Sequence, residues 1–140
     1  MTRKELERVY YLKRELKMWE RRYNELIADM SQDTPAADGM PYANTNKINR
    51  PTESKAIQIA DHAALIMGKQ AEIRLAIREV ESFIIGIEDP LIRQIVELRC
   101  VYCMKWEEVA AKIGKSATAE NVRQMYNRFI NKNTVDILDE

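Results

Sequence analysis

Apolar residues recur at three- and four-residue steps through most of the chain, which is the periodicity of an α-helix packed along one face. The first run predicts a helix over 2–31. Its apolar stripe consists of Val9, Leu12, Leu16, Trp19, Tyr23, Leu26 and Met30. Thr2 and Glu5 match the capping-box pattern that marks a helix start. The stripe is a heptad seam, as in coiled coils.

A second run predicts a helix over 53–87 and is the longest regular pattern in the chain. Its stripe consists of Ile59, Ala63, Ile66, Gln70, Ile73, Ile77, Val80, Ile84 and Ile87. Residues 32–52 hold three prolines and a glycine, which predicts a loop. The loop lets the second helix fold back on the first as an antiparallel hairpin, with pairing between chains as the alternative.

Each stripe is wider than a two-helix hairpin can cover, so we expect self-association, most simply a dimer. The oligomerisation seam predicted from the two stripes consists of Leu16, Trp19, Tyr23, Ile66, Ile73, Ile77 and Val80. In this interpretation residues 1–87 form a helical hairpin and oligomerisation region. Residues 88–132 form a separate C-terminal module, and 133–140 are a short acidic tail.

The C-terminal module reads as three short helices. Asp89 and Pro90 suit the cap and first position of a helix, whose apolar stripe is Leu91, Ile95, Leu98 and Tyr102. The stripe of the next helix is Trp106, Val109, Ala110 and Ile113, and Gly114 suits its C-terminal end. A third helix, capped by Ser116 or Thr118, is expected to bury Val122, Met125, Tyr126, Phe129 and Ile130.

The opposite face of the third helix carries the candidate chemistry. With Val122 pointing inward and about 100° per residue, the outward residues are Glu120, Gln124, Asn127 and Asn131, flanked by Arg123 and Arg128. Amide and guanidinium groups pair with base edges in the DNA major groove. This face is typical of a recognition helix in a helix-turn-helix. The alternative is a solvated helix in a small bundle.

The pattern assigns two sets of DNA contacts. Base-reading residues are Glu120, Arg123, Gln124 and Asn127. Phosphate-contacting residues are Lys115, Ser116, Thr118 and Arg128. The whole chain has no net charge, with 22 basic and 22 acidic residues. Residues 91–132, however, hold eight basic and four acidic residues, the local excess that a duplex-binding module needs.

The string LRCVYCMKWEEVAAKIGKSATAENVRQMYNRF resembles the C-terminal, promoter-reading region of bacterial sigma factors. The matching positions are Leu98, Arg99, Tyr102, Glu108, Val109, Ala110, Ile113, Gly114, Ser116, Val122 and Arg123. A long helical half joined to such an ending is similar to small phage regulators of late transcription, of the ArpU/RinA kind. This resemblance implies an all-α regulator that binds double-stranded DNA, acts on late phage genes in the bacterial cytoplasm and contacts RNA polymerase.

Two other functions fit the same pattern. A small terminase-type phage packaging subunit also joins a helix-turn-helix to helical oligomerisation segments, and it would form a ring. A helical adaptor with a degenerate helix-turn-helix would bind protein only. The three hypotheses differ in solution mass and in affinity for duplex DNA.

No residue pattern indicates catalysis, a cofactor or a metal. Cys100 and Cys103 form a lone C-x-x-C, and His62 is the only histidine, so the four ligands of a zinc site are not assembled. Reduced thiols packed at a helix end are expected. No apolar run of about 18 residues is present, so no membrane span is expected, and the charged N-terminus is unlike a signal peptide.

Overall fold

The computed structural model describes residues 1–33 and 45–133, with side chains placed for 1–30 and 53–133. Within these ranges the chain is all-α, which confirms the predicted fold class with its long N-terminal helices. The helices are α1 (Arg3–Asp33), α2 (Thr45–Ile85), α3 (Pro90–Val96), α4 (Trp106–Ile113) and α5 (Ala119–Asn133). A π-helical turn at Glu97–Val101 continues α3. None of these helices is long and apolar enough to cross a membrane.

The chain divides into two compact units. The first contains Met1–Lys13 and Glu72–Glu140, and the second contains Arg14–Ala71. The predicted boundary between residues 87 and 88 does not coincide with either limit. The reason is that the first turns of α1 and the end of α2 are buried together with the short C-terminal helices. Leu6, Val9 and Val80 are as fully buried as the α5 residue Ile130.

The core of the first unit is formed by aliphatic side chains from α1, α2, α3, α4 and α5. Its most buried members are Leu6, Val9, Val80, Ile95, Val96, Val109, Val122 and Ile130. Burial of each contributes about 1.5–3 kcal/mol relative to exposure. Within this unit α4 packs against α5, and α3 contacts both. The core therefore fixes which face of α5 points outward.

In the second unit, α1 and α2 run antiparallel. Lys69 Nζ lies 2.6 Å from Glu15 Oε1, and the rings of Trp19 and His62 are 5.8 Å apart. Residue numbers thus rise along α1 as they fall along α2. Leu16, Trp19, Tyr23 and Ile66 are half-buried in this unit. The fold-back expected from the sequence is therefore formed within one chain here.

Most of the predicted oligomerisation seam is used inside the chain. Ile73 and Val80 are buried in the first unit, and Ile77 is half-buried there. Buried side chains cannot serve a partner without unfolding, so the seam was wrongly assigned for Ile73 and Val80. A partner would contact other residues of α2, among them Ile57 and Met67, which are 62% and 69% exposed.

The helix starts agree with the capping patterns. The Thr2 and Glu5 capping box is confirmed by reciprocal bonds, with Thr2 N–H donating to Glu5 Oε2 (2.9 Å) and Glu5 N–H to Thr2 Oγ1 (3.2 Å). Asp89 Oδ1 accepts from the N–H of Leu91 (2.9 Å), and Pro90 is the first residue of α3. These pairs satisfy N–H groups that the helix itself leaves without partners.

The helices on both sides extend into the loop that the sequence predicted over 32–52. α1 continues to Asp33, and α2 begins at Thr45 rather than near Pro51, which lies inside the helix. A proline inside a helix removes one backbone hydrogen bond and crowds the carbonyl four residues earlier, at a cost of about 3 kcal/mol, which is why the sequence predicted a start near Pro51 and not before it. The centre of the predicted loop, 34–44, and the predicted tail from 134 lie outside the described residues.

The π-helical turn overturns the stripe predicted for α3. The buried residues are Ile95, Val96, Cys100 and Val101, whereas Tyr102 is 57% exposed. Ile95 and Cys100 are five residues apart, as are Val96 and Val101. Five-residue spacing matches the wider π turn, in which the Tyr102 N–H donates to the Glu97 carbonyl (3.2 Å). An apolar stripe predicted with 3.6 residues per turn therefore no longer matches the buried residues after Val96.

Gly114→Ala is expected to lower the free energy of unfolding by about 1–3 kcal/mol. Gly114 has φ 73° and ψ −159°, a backbone conformation that favours glycine strongly. A Cβ there would meet no atom within 4 Å, so the loss comes from backbone strain and not from a clash. Urea denaturation monitored by circular dichroism measures it.

Gly68→Ala is the matched control. Gly68 lies in the interior of α2, where an added Cβ also meets nothing within 4 Å. Alanine there is expected to raise the free energy of unfolding by about 0.5–1 kcal/mol. Equal effects of the two substitutions would contradict the conformation assigned to Gly114.

Candidate nucleic-acid interface

The segment between α4 and α5 is a tight turn with an explicit cap. Lys115 and Ser116 both adopt left-handed φ values, 51° and 59°. Thr118 is the N-cap of α5, because its Oγ1 accepts from the N–H of Asn121 (3.1 Å). Ser116, the other candidate cap, donates its hydroxyl to the Lys115 carbonyl instead. As a cap acceptor, the Thr118 hydroxyl still has its own proton to donate at the N-terminus of α5.

The buried side of α5 is narrower than predicted. Val122, Tyr126 and Ile130 are buried, Phe129 is half-buried, and Met125 is 37% exposed. The prediction that Met125 is buried was therefore wrong. The helix is rotated so that Met125 lies at the margin of the core and the opposite margin, at Asn127, turns inward.

An exposed polar ridge follows from this rotation. Glu120, Gln124 and Arg128 are exposed along the outer side of α5. Asn121, which the sequence did not single out, is exposed beside them near the N-terminus of the helix. A rotation of about 40° away from Val122 as the inward centre would have brought Asn121 into the predicted set. We call Glu120, Asn121, Gln124 and Arg128 the α5 ridge.

Asn127 does not belong to the α5 ridge. It is half-buried and lines a cleft together with Arg3 of α1. One turn further, Asn131 Oδ1 accepts a hydrogen bond from Arg3 Nη2 (2.7 Å). The first turns of α1 therefore flank this edge of α5, a neighbour that local periodicity cannot reveal. The base-reading role predicted for Asn127 is not supported by its position.

Three predicted base-reading residues are joined by hydrogen bonds. Arg123 Nη2 lies 2.7 Å from Glu120 Oε1, and Gln124 Nε2 donates to the same oxygen at 3.2 Å. The hydrogen bond from Arg123 lowers the pKa of Glu120, and Glu120 raises the pKa of Arg123. All three side chains are exposed, and exposed ion pairs contribute little to stability. These hydrogen bonds therefore orient the Gln124 side chain, but they can be replaced by hydrogen bonds to other groups.

The surface around the ridge is mainly basic. Lys112 and Lys115 are exposed at the end of α4 and in the turn, and Arg128 and Lys132 are exposed on α5. Of the predicted phosphate contacts, Lys115, Ser116, Thr118 and Arg128 are all exposed. The structure thus brings cationic groups to both ends of an amide-bearing ridge and hydroxyl groups to its N-terminal end.

Aromatic packing holds α5 in place. The rings of Trp106 and Tyr126 are 5.2 Å apart, and the guanidinium carbon of Arg99 lies 4.4 Å from the Trp106 ring centroid. Arg99 Nη1 also donates to the Met104 carbonyl (2.7 Å). The arginine shared with the sigma-factor pattern is thus held against α4 here.

Both cysteines are free thiols at the π-helical turn. Cys100 is buried, with Sγ 3.5 Å from Tyr126 Oη, and burial raises its pKa from 9.0 to about 11. Cys103 is half-buried, and desolvation raises its pKa as well. Over residues with described side chains, no group of three or more histidine, cysteine or acidic residues could hold a metal ion.

Comparison of the chain with protein-family models, curated proteins and solved structures found no match. The functional interpretation therefore depends on the geometry of α4, the turn and α5. The resemblance to sigma factors and to phage regulators stays a prediction.

The thiol of Cys100 is expected to make the protein sensitive to alkaline pH. Its pKa is higher in the folded protein, about 11, than the ordinary 9.0, so the stability it contributes is intact below pH 9. Above that pH the unfolded chain loses the thiol proton first. The free energy of unfolding should fall by about 2–3 kcal/mol up to pH 11.

Urea denaturation at intervals from pH 8 to pH 11 measures this slope. Cys100→Ala is expected to flatten it, leaving the part due to Tyr126, whose pKa burial also raises. Cys103→Ala, at the half-buried thiol, should change the slope less. An unchanged slope in Cys100→Ala would contradict the assignment.

Proposed function

We propose that the protein is a sequence-specific DNA-binding regulator in which α4, the turn and α5 act as a helix-turn-helix. Two short helices joined by a tight turn and packed on each other support this connectivity, with α3 as the third helix against both. The observation that carries the proposal is the exposed α5 ridge, with Gln124 at its centre and a capped N-terminus beside it.

Gln124 and Arg123 are the proposed base readers. A glutamine amide pairs bidentately with adenine, and an arginine pairs with guanine N7 and O6. Glu120 holds both side chains in the free protein and is suited to accept from cytosine N4. Binding would exchange these exposed intrahelical bonds for bonds to bases, at little cost because the pair is solvated.

The phosphates would be held at the two ends of the ridge. Thr118 presents its hydroxyl at the N-terminus of α5, where the helix dipole favours an anion. Lys115 and Ser116 precede it in the turn, and Arg128 lies nearly three turns along the helix. Such contacts fix orientation but do not read sequence.

The resemblance to phage late regulators would add RNA polymerase as a partner and late genes as targets. The packaging subunit and the protein-binding adaptor are the other candidates. A packaging subunit would also bind duplex DNA, but its solution mass would differ from that of the proposed regulator. A protein-binding adaptor would have no affinity for duplexes. Neither has a specific observation that favours it over the regulator.

Selection from random duplexes is expected to yield one preferred site. At that site, Gln124→Ala should weaken binding by about 1–3 kcal/mol and leave binding to unrelated duplexes unchanged, since only base contacts are lost. Arg128→Ala should weaken binding to all duplexes alike and reduce the salt dependence by about one counterion. Gel-shift titrations at several salt concentrations measure both effects.

Arg74→Ala provides the control, because it removes one exposed charge from α2 and not from the ridge. It should leave both the preferred and the unrelated duplexes bound as before. Lack of affinity for any duplex at low salt would refute DNA binding, and an unchanged preference in Gln124→Ala would refute the assigned base reader.

Self-association is proposed to use the outer side of α2 in the second unit. Ile57 and Met67 are largely exposed there, and Ala60 and Ala64 are exposed between them at three- and four-residue steps. This stripe faces away from the side that carries Ile59 and Ile66. A helix that is apolar on both sides is usually covered on both, and a second copy of the chain offers a matching stripe.

Light scattering is expected to give the mass of two chains. Met67→Glu should shift the mass to one chain, because it introduces a charge into the paired stripe. Gln70→Glu, an exposed substitution away from that stripe, should remain dimeric. A single-chain mass for the unmodified protein would refute the dimer, and eight or more copies would favour the packaging subunit.

A further inference from the structure

A cleft of about 320 Å³ opens in the first unit between the first turns of α1, the π-helical turn, α4 and α5. Its volume lies at the lower end of the range for small-molecule sites, about 300–1,000 Å³. The proposed DNA contacts leave it unused, apart from Arg123, which also lines it. It is thus a concave feature that a duplex-binding ridge does not require.

The charge of the cleft is mainly positive. Three guanidinium groups, those of Arg3, Arg99 and Arg123, line it together with one carboxylate, that of Glu7. Arg123 is ion-paired with Glu120, whereas Arg3 and Arg99 donate to neutral oxygens, those of the Asn131 amide and the Met104 carbonyl. Each guanidinium has five N–H donors, so further donors remain for a ligand. Several guanidinium groups around one cavity suit a phosphate, which they can hold bidentately.

The walls of the cleft are aromatic. Tyr10 and Tyr11 of α1 line it on one side, with ring centroids 5.2 Å apart, and Trp106 of α4 lines it on another. Such rings stack on planar bases, which contributes about 1–3 kcal/mol per base in nucleic-acid complexes. The Asn127 amide at the same cleft can pair with a base edge, as asparagine does with adenine.

The floor of the cleft is built on the π-helical turn. Arg99 and Cys100, both in the turn, line the cleft. Single π turns inside helices occur frequently at functional sites, because they reposition side chains at a cost in helix geometry. Here the wide turn is accompanied by the contact between Arg99 and Trp106, so a cation and an aromatic ring face the same cavity.

We propose that this cleft binds a nucleoside monophosphate, with the phosphate among the guanidinium groups and the base against Tyr10, Tyr11 or Trp106. The carboxylate of Glu7 would accept from the sugar hydroxyls. This binding does not require that the protein bind DNA. It adds a small-molecule site on the edge of α5 that the α5 ridge leaves free.

Quenching of Trp106 fluorescence tests the site directly. The chain has two tryptophans, so Trp19→Phe leaves Trp106 as the only indole, and calorimetry on the unmodified chain checks that this substitution does not alter the result. The probes are AMP, GMP, CMP and UMP, with adenosine and inorganic phosphate as the separate halves. We expect at least one nucleotide to quench Trp106 and to bind about tenfold or more tighter than either half.

Arg3→Ala is expected to weaken nucleotide binding by about tenfold or more, because it removes a charged phosphate donor while Arg99 stays on Trp106. Arg22→Ala is the matched control. Its guanidinium carbon lies 5.6 Å from the Trp19 ring centroid in the other unit, and it does not line the cleft. It should leave the affinity unchanged.

The proposal is overturned if no nucleotide quenches Trp106 or releases heat, or if inorganic phosphate binds as tightly as every nucleotide. It is also overturned if Arg3→Ala binds nucleotide with unchanged affinity. All titrations are run without DNA. A protein that fails this test but selects a duplex site would thus lose only the nucleotide site, and the reverse result would refute only DNA binding.

Discussion

The packing of Tyr126 determines how the C-terminal helices present their surface. Its ring packs against Trp106 of α4, and its hydroxyl oxygen lies 3.5 Å from the Cys100 sulfur in the π-helical turn. One buried side chain of α5 thus touches both elements that precede it. Because residues on a helix keep fixed angles to one another, anchoring Tyr126 sets the direction of Gln124 and Arg128 on the far side. The exposed ridge is a consequence of that anchor.

Local chemistry was predicted well from the sequence, because caps act over two or three residues. Thr2 with Glu5 and Asp89 with Pro90 each begin a helix where the pattern indicated, and Thr118 is one of the two caps predicted for α5. The start predicted for α2 near Pro51 was wrong, since the helix begins at Thr45. The misassigned positions depend on contacts that are distant in sequence or on an uncommon backbone. The π-helical turn brings Cys100 and Val101 into the core, so a prediction based on 3.6 residues per turn wrongly assigned Tyr102 to the buried stripe. Asn127 was placed outward because nothing local indicates that Arg3 lies beside the last turns of α5.

In the candidate site, too, some features depend on neighbouring residues and others on contacts that are distant in sequence. Residue types on α5 could be predicted from the sequence, since the amide and guanidinium groups follow from identity and helical angle alone. Which of them face solvent depends on α1, and that contact shifts the free surface toward Asn121 and Arg128. The two edges of α5 consequently have different chemistry. One is open and suited to a long polymer, whereas the other forms one wall of an aromatic and cationic cleft that suits a small anion.

The hydrogen bond between Arg3 and Asn131 joins positions 128 residues apart. Leu6 and Val9 share their core with Ile130, so that core cannot close while the chain is still being synthesised and α5 is unmade. Until then the apolar side of the first turns of α1 lacks its contacts with α5. Contacts so distant in sequence slow folding relative to helices that close locally. The first turns of α1 would therefore complete their packing only after α5 has been synthesised.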